Sequence, residues 1–147
     1  MKWNDLNTES CPVARGLSVI GDRWTMLVIR ECFLRIRRFD QMQDRLGITR
    51  HVLADRLRKL EADGVLKRVA YQERPLRHEY LLTDSGKALY PILVTMIEWA
   101  NAHVPAENGS SVTLISRETN DPIEPKLVDA RTGNEITHRT VIAKTAG

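Results

Sequence analysis

Thr49, Arg50, His51 and Arg58 set hydrogen-bond donors along one short stretch of chain, and Arg38, Arg74 and Arg77 add guanidinium groups on either side of it. A guanidinium is a planar fork that fits either the O6 and N7 edge of guanine or a pair of phosphate oxygens. A hydroxyl or an imidazole donates to bases or to phosphates. Bond-breaking chemistry would need a nucleophile with its base, a metal set or a phosphate-cradling loop. The chain has no GxGxxG, no P-loop and no GxSxG, so no enzyme and no cofactor are expected. His51, His78, His103 and His138 stand singly, and two cysteines, Cys11 and Cys32, make neither a zinc set nor a disulfide scaffold.

Charge points the same way. Arg30 to His78 holds 13 Lys+Arg and 7 Asp+Glu, against 9 and 12 in the rest of the chain, so the positive charge is concentrated where the donors are. Such a segment neutralises phosphates and releases counterions.

The elements that position these groups follow from hydrophobic spacing. Phe39, Met42 and Leu46 predict a short helix, ended by Gly47. Ile48 turns inward and Thr49 is a good N-cap for a second helix, in which Leu53, Leu57 and Leu60 form the inner stripe and Asp63-Gly64 is the stop. At about 100° per residue, that stripe turns His51, Asp55 and Arg58 outward, flanked by Ala54 and Lys59, with Thr49 and Arg50 at the N-terminal end. Asp55 either accepts from a cytosine amino group or pairs with Arg58 or Lys59. Arg50, Arg56 and Arg58 give the helix its basic reach. Val65 to Tyr71 and Arg77 to Leu82 predict two strands around a turn at Gln72 to Pro75, which carries Arg74 and Arg77 toward a flanking backbone or minor groove. Helix, turn, helix and hairpin in this order make a winged helix-turn-helix, which lays its second helix in the DNA major groove. The expected partner is double-stranded DNA. The alternative is a winged helix used for protein–protein contact without DNA readout.

Around this segment, residues 1–10 read as a polar arm. Val13, Leu17 and Ile20 share a helix face after Pro12, and a buried helix runs from about Arg23 to Phe33. Thr83 caps a long last helix, Ser85 to His103, with Leu89, Ile92, Leu93, Met96, Trp99 and Ala100 as its stripe and a bend at Pro91. Residues 105–147 read as a β-rich appendage with candidate strands at Val112–Ile115, Lys126–Val128 and Thr140–Ile142, a turn at Thr132-Gly133-Asn134 and no internal repeat. With no cysteine there, a zinc ribbon is excluded. No apolar run long enough for a signal peptide or a membrane span is present, so a cytoplasmic protein with no membrane partner is expected. The fold class is mainly α with a small β wing.

Several ordered stretches resemble the HxlR-type winged helix-turn-helix transcriptional regulators of bacteria and archaea. They are Cys11-Pro12-Val13-Ala14-Arg15, Ile20-Gly21-Asp22-Arg23-Trp24, Arg38-Phe39, Leu53 through Leu60, Glu61-Ala62-Asp63-Gly64, Glu79-Tyr80-Leu81-Leu82-Thr83 and Pro91 to Trp99. The resemblance covers about Cys11 to His103 and assigns residues 11–104 to the domain, with 1–10 as an arm and 105–147 as an extension. It implies a homodimer built by the first and last helices, with Val13, Leu17, Leu89, Leu93, Met96 and Trp99 as interface candidates and Trp3 beside them. A two-fold dimer sets two reading helices about 34 Å apart and favours a palindromic operator. The resemblance also makes Cys11 a candidate sensor of oxidants or electrophiles, since a helix N-terminus is one of the settings in which thiols react. An oxidant or small-molecule effector is the further partner this implies.

Overall fold

The computed structural model describes residues 1–146. The chain divides into two compact units, Met1–Leu93 and the part from Val94 onward.

The first unit begins with a 3-10 helix, Trp3–Thr8, rather than the expected arm; it buries Leu6. Gly21 has no Cβ to meet the Trp3 ring, which would lie 3.1 Å from one. Helices α1 (Pro12–Ile20), α2 (Thr25–Phe33), α3 (Phe39–Leu46) and α4 (Arg50–Ala62) follow, then strands β1 (Leu66–Glu73) and β2 (Leu76–Leu82), and helix α5 (Asp84–Lys87). The core is Val28, Ile29, Cys32, Met42, Ile48, Leu53, Leu57, Leu60, Val65 and Leu66: the whole expected stripe of α4 is buried, Met42 enters from α3 with Phe39 and Leu46 partly buried beside it, and of Val65 to Tyr71 only Val65 and Leu66 are buried.

Two inward carboxylates fix the helices to one another. Asp22 accepts from the Trp24 and Thr25 amides at 2.9 and 3.0 Å and from the Thr25 hydroxyl, which ties the turn before α2 to its first residue. It also pairs with Arg56 of α4 at 3.1 Å. Glu31 of α2 is fully buried and lies between Arg30, at 2.8 Å, and Arg45 of α3. Burial pushes each carboxyl up, but the bonds from Thr25 and the amides to Asp22, and from Arg45 and Arg30 to Glu31, outweigh it and hold both below the ordinary carboxylate range.

The turn between α3 and α4 depends on Gly47, whose φ of 62° is the left-handed conformation that favours glycine; its N–H closes on Gln43 O at 3.0 Å. Strands β1 and β2 are antiparallel, from Leu66 opposite Leu82 to Glu73 opposite Leu76, with an irregularity between Ala70 and Gln72. Only Leu66 of β1 is buried, so the outer hairpin stands in solvent. The Tyr80 N–H donates to Arg37 O at 2.8 Å, which ties the link before α3 to the wing. At the base of the wing, a Cβ on Gly86 would meet Val65 O at 2.3 Å; no other residue fits there without moving backbone.

The expected single helix over 85–103 is two helices, α5 and α6 (Tyr90–His103), separated at Ala88-Leu89. Pro91 lies in the first turn of α6, where an N–H has no helical partner to lose, so it starts a helix rather than bending one.

In the second unit the remainder of α6 leads into residues 105–146, which contain no strand and no buried residue among those described. The expected β-rich appendage is replaced by turns with two isolated bridges, Ile115 to Pro122 and Val128 to Glu135. These bridges belong to a repeat that the sequence reading passes over. Residues 114–123 and 127–136 close the same loop thirteen residues apart. Ile123 N donates to Leu114 O as Ile136 N does to Leu127 O; Ser116 N donates to Asp121 O as Asp129 N does to Asn134 O. Asn120 N donates to Ser116 O and Gly133 N to Asp129 O, with Asn120 and Gly133 both at positive φ. The Thr119 and Thr132 hydroxyls accept from Asp121 N and Asn134 N. Short polar side chains bonding their own backbone shape each loop, which is why no ladder extends from either bridge.

Candidate nucleic-acid interface

Helix α4 opens with Thr49 as its N-cap, the hydroxyl accepting from Val52 N at 3.4 Å. Beyond it the outward face is open to solvent. The His51 side chain is 88% exposed and that of Arg58 75%, while Ala54 is half-buried on the flank. Asp55 sits between the first two. It accepts from Arg58 at 2.9 Å and lies 3.4 Å from His51 Nε2, so its charge organises that face instead of standing free. Lys59 takes no part, because its ammonium bonds Asp63 at 2.6 Å and Ser18 O at 2.7 Å. Arg56 is a correction to the basic reach read from the sequence: it turns inward to Asp22 and supports the fold.

Arg50 sits apart from this face. It lies three residues before Leu53 and seven before Leu57, on the flank of the inner stripe, and its guanidinium rests 5.0 Å from the centre of the Phe39 ring. Arg38, at the N-cap of α3, lies 4.3 Å from the Tyr71 ring and 3.8 Å from Glu79. With Arg77, His78 and Tyr80 these residues line a cleft of about 540 Å³ between the start of α4 and the wing. Arg74 and Arg77 are exposed on the wing. A second groove, lined by Phe39, Ala54, Arg58, Glu61, Arg68 and Tyr80, shares Phe39 and Tyr80 with the first, and in it Arg68 pairs with Glu61 at 3.1 Å. Burial pushes the Tyr80 phenol up, which leaves its hydroxyl protonated and able to donate at neutral pH.

Sequence reasoning passed over Tyr71, His78 and Tyr80 as members of this surface. The signal was present in β2, where residues 78 and 80 alternate with Glu79 and Leu81, but strand alternation alone does not say which side faces α4.

The interface candidates of the first and last helices divide. Val13 and Leu17 are 69% and 40% exposed, and Met96 and Trp99 47% and 60%. Leu93 is buried and Leu89 packs against the core, so these two complete the protein's own interior. Cys11 is the exposed N-cap residue of α1. Cys32 is buried in the core, and burial pushes its thiol up to about 12, where it stays protonated. No group of three or more His, Cys, Asp or Glu side chains that could hold a metal occurs among the described residues. No helix among them is long and apolar enough to cross a membrane.

Comparison with known proteins assigns this architecture. HTH-type transcriptional regulator Rv3095 of Mycobacterium tuberculosis (strain ATCC 25618 / H37Rv) is 39% identical over 133 residues, which cover 90% of this chain and 84% of that one. YvaP of Bacillus subtilis (strain 168), another HTH-type transcriptional regulator, is 38% identical over 95 residues, 63% of this chain and 88% of its own. Among solved structures, the transcription factor PA1607 superposes with a TM-score of 0.85 at 35% identity, covering 95% of this chain and 98% of that one. The redox regulator HypR in its reduced form does so with a TM-score of 0.58 at 35% identity, covering 63% and 92%. The model of the HxlR-like helix-turn-helix family matches residues 19–108. The chain belongs to the HxlR-like helix-turn-helix family of transcriptional regulators.

Proposed function

We propose that the protein binds double-stranded DNA as a homodimer on a palindromic operator and controls transcription from it. One observation carries this reading: α4 is capped and exposed along its outward face, and the solvent-exposed wing beside it brings Arg77 into the cleft that Arg38 and Arg50 line. Thr49, His51, Ala54 and Arg58 face the base edges, and Arg38, Arg50, Arg74 and Arg77 the sugar-phosphate backbone or the minor groove. Residues 11–104 read and dimerise, and 105–147 extend beyond that part. In support, the family match covers residues 19–108. The exposed Val13, Leu17, Met96 and Trp99 support a partner on the first and last helices. A gel shift on the DNA upstream of the protein's own gene tests the reading. A shift that weakens as salt rises supports it, and no salt-sensitive shift on that or the neighbouring gene's upstream DNA refutes it. Sedimentation at micromolar concentration tests the dimer, and a monomer refutes it.

A second reading concerns regulation. Cys11 is exposed at the start of α1, one of the helices assigned to the dimer face, and HypR is a redox regulator with reduced and oxidised structures. Modification of Cys11 by an oxidant or electrophile would alter that face and, through it, DNA affinity. A Cys11→Ser variant whose DNA binding responds to peroxide and quinones as the parent's does rules this out.

A further inference from the structure

We infer that Arg50 is a phosphate clamp and not a base reader, and that together with Arg38 and Arg77 it forms one aromatic-braced seat for the DNA backbone. The inference rests on the DNA-binding reading and divides its residues into two jobs. Position is the first ground. Arg50 opens α4 on the flank of the Leu53/Leu57 stripe, whereas His51, Asp55 and Arg58 occupy the opposite face. A helix that lays its outward face in the major groove aims His51 and Arg58 at base edges and Arg50 sideways, toward the groove wall where the phosphates run.

Bracing is the second ground. Arg50 lies over the Phe39 ring and Arg38 over the Tyr71 ring, at 5.0 and 4.3 Å. A ring under a guanidinium holds it by cation–π attraction and restricts its rotamers, so less freedom is lost when an anion binds. The braces come from α3 and from the wing, and both arginines line the same 540 Å³ cleft with Arg77 and His78. Arg50 and Arg77 have no carboxylate within 4 Å among the described residues; Arg38 has Glu79 at 3.8 Å, near the limit of an ion pair. Arg58 differs, being bonded to Asp55. Asp40 also lines the cleft, but three arginines outweigh it, and a cleft with two braced cations and a third beside them accepts a phosphodiester, whose oxygens take two forks at once.

The two jobs leave different signatures. A phosphate contact contributes equally on every sequence and adds about one unit to the slope of log affinity against log salt, whereas a base contact changes the preference between sequences. The test uses the full chain and a duplex selected by the parent protein from a randomised pool, alongside a scrambled duplex, with binding followed by fluorescence anisotropy across a salt series. Arg50→Ala and Arg77→Ala are expected to weaken both duplexes by the same factor, leaving the selected-to-scrambled ratio within about twofold, and to lower the salt slope by about one per protomer. Tyr71→Ala, which keeps every charge, is expected to weaken both duplexes equally with the slope unchanged. His51→Ala is expected to collapse the ratio. If Arg50→Ala changes the ratio by tenfold or more with the slope intact, Arg50 reads bases and the inference is overturned while DNA binding stands. If the parent protein shows no salt-sensitive binding to either duplex, the inference falls together with the reading it rests on.

Discussion

In the first unit Glu31 reaches fourteen residues along the chain to Arg45, and Asp22 reaches from the start of α2 to Arg56 in α4. In the second unit the backbone bonds that shape the two loops span nine residues or fewer, and no residue of 105–146 is buried. The first unit is therefore held by burial and by cross-helix charge, and its parts depend on one another. The second unit's loops are held by neighbours in sequence and depend on little beyond themselves. A reading surface whose helix must meet DNA at a fixed angle is built by the first method, because side chains brought from separate elements can set that angle.

The comparison can be broken by substitution, with effects read as urea-denaturation free energies. Leu57→Ala, in the fully buried stripe of α4, is expected to cost about 3 kcal/mol, since it leaves a cavity among residues that cannot close it. Glu31→Ala should cost about 2 kcal/mol, less than the ~3–5 kcal/mol for breaking a fully buried pair, because Arg30 and Arg45 are half exposed and regain water. The same pins predict a pH response. Asp22 and Glu31 are held below their unfolded values, so the stability they confer is complete above about pH 4–5 and is lost as pH falls toward their folded values. Denaturation midpoints of the parent should drop between about pH 5 and 3, and an Asp22→Asn, Glu31→Gln double variant should drop less over that range. Thr49→Ala removes one exposed, long cap bond and should cost about 0.5–1 kcal/mol. Thr132→Ala, its counterpart in the second unit, should cost under about 0.5 kcal/mol. If Thr132→Ala costs as much as Leu57→Ala, the loops are not self-contained and the distinction between the units fails.

How much was legible in the sequence follows the same division. The helix-turn-helix and wing were readable because Leu53, Leu57 and Leu60 repeat at helical spacing, Gly47 and Thr49 mark the turn chemically, and residues 77 to 82 alternate as a strand does. The outward face of α4 followed from the stripe alone. What spacing could not give was the partner of each charge. Arg56 reads as one more basic residue until Asp22 is brought against it, and Asp55 keeps two options until Arg58 closes on it. Pro91 was assigned to a helix interior because the apolar stripe runs through Leu89 without pause, although the break lies two residues earlier. The paired loops escaped because only Leu114/Leu127, Thr119/Thr132 and Ile123/Ile136 are identical at the thirteen-residue spacing, and the rest of the repeat lies in hydrogen-bonding roles. Ser116 and Asp129 share a role and no side-chain size, as do Asn120 and Gly133.

That equivalence of roles sets a natural step length for the extension. Excising residues 116–128 and joining Ile115 to Asp129 would run Leu114-Ile115 directly into Asp129 through Ile136, and one complete loop with all its closing bonds would remain. A cut with one end inside a loop and the other not at the equivalent position of its neighbour would strand an acceptor on one side of the join. In this part of the chain one loop is therefore a removable unit, and a thirteen-residue deletion keeps the same local chemistry at its junction.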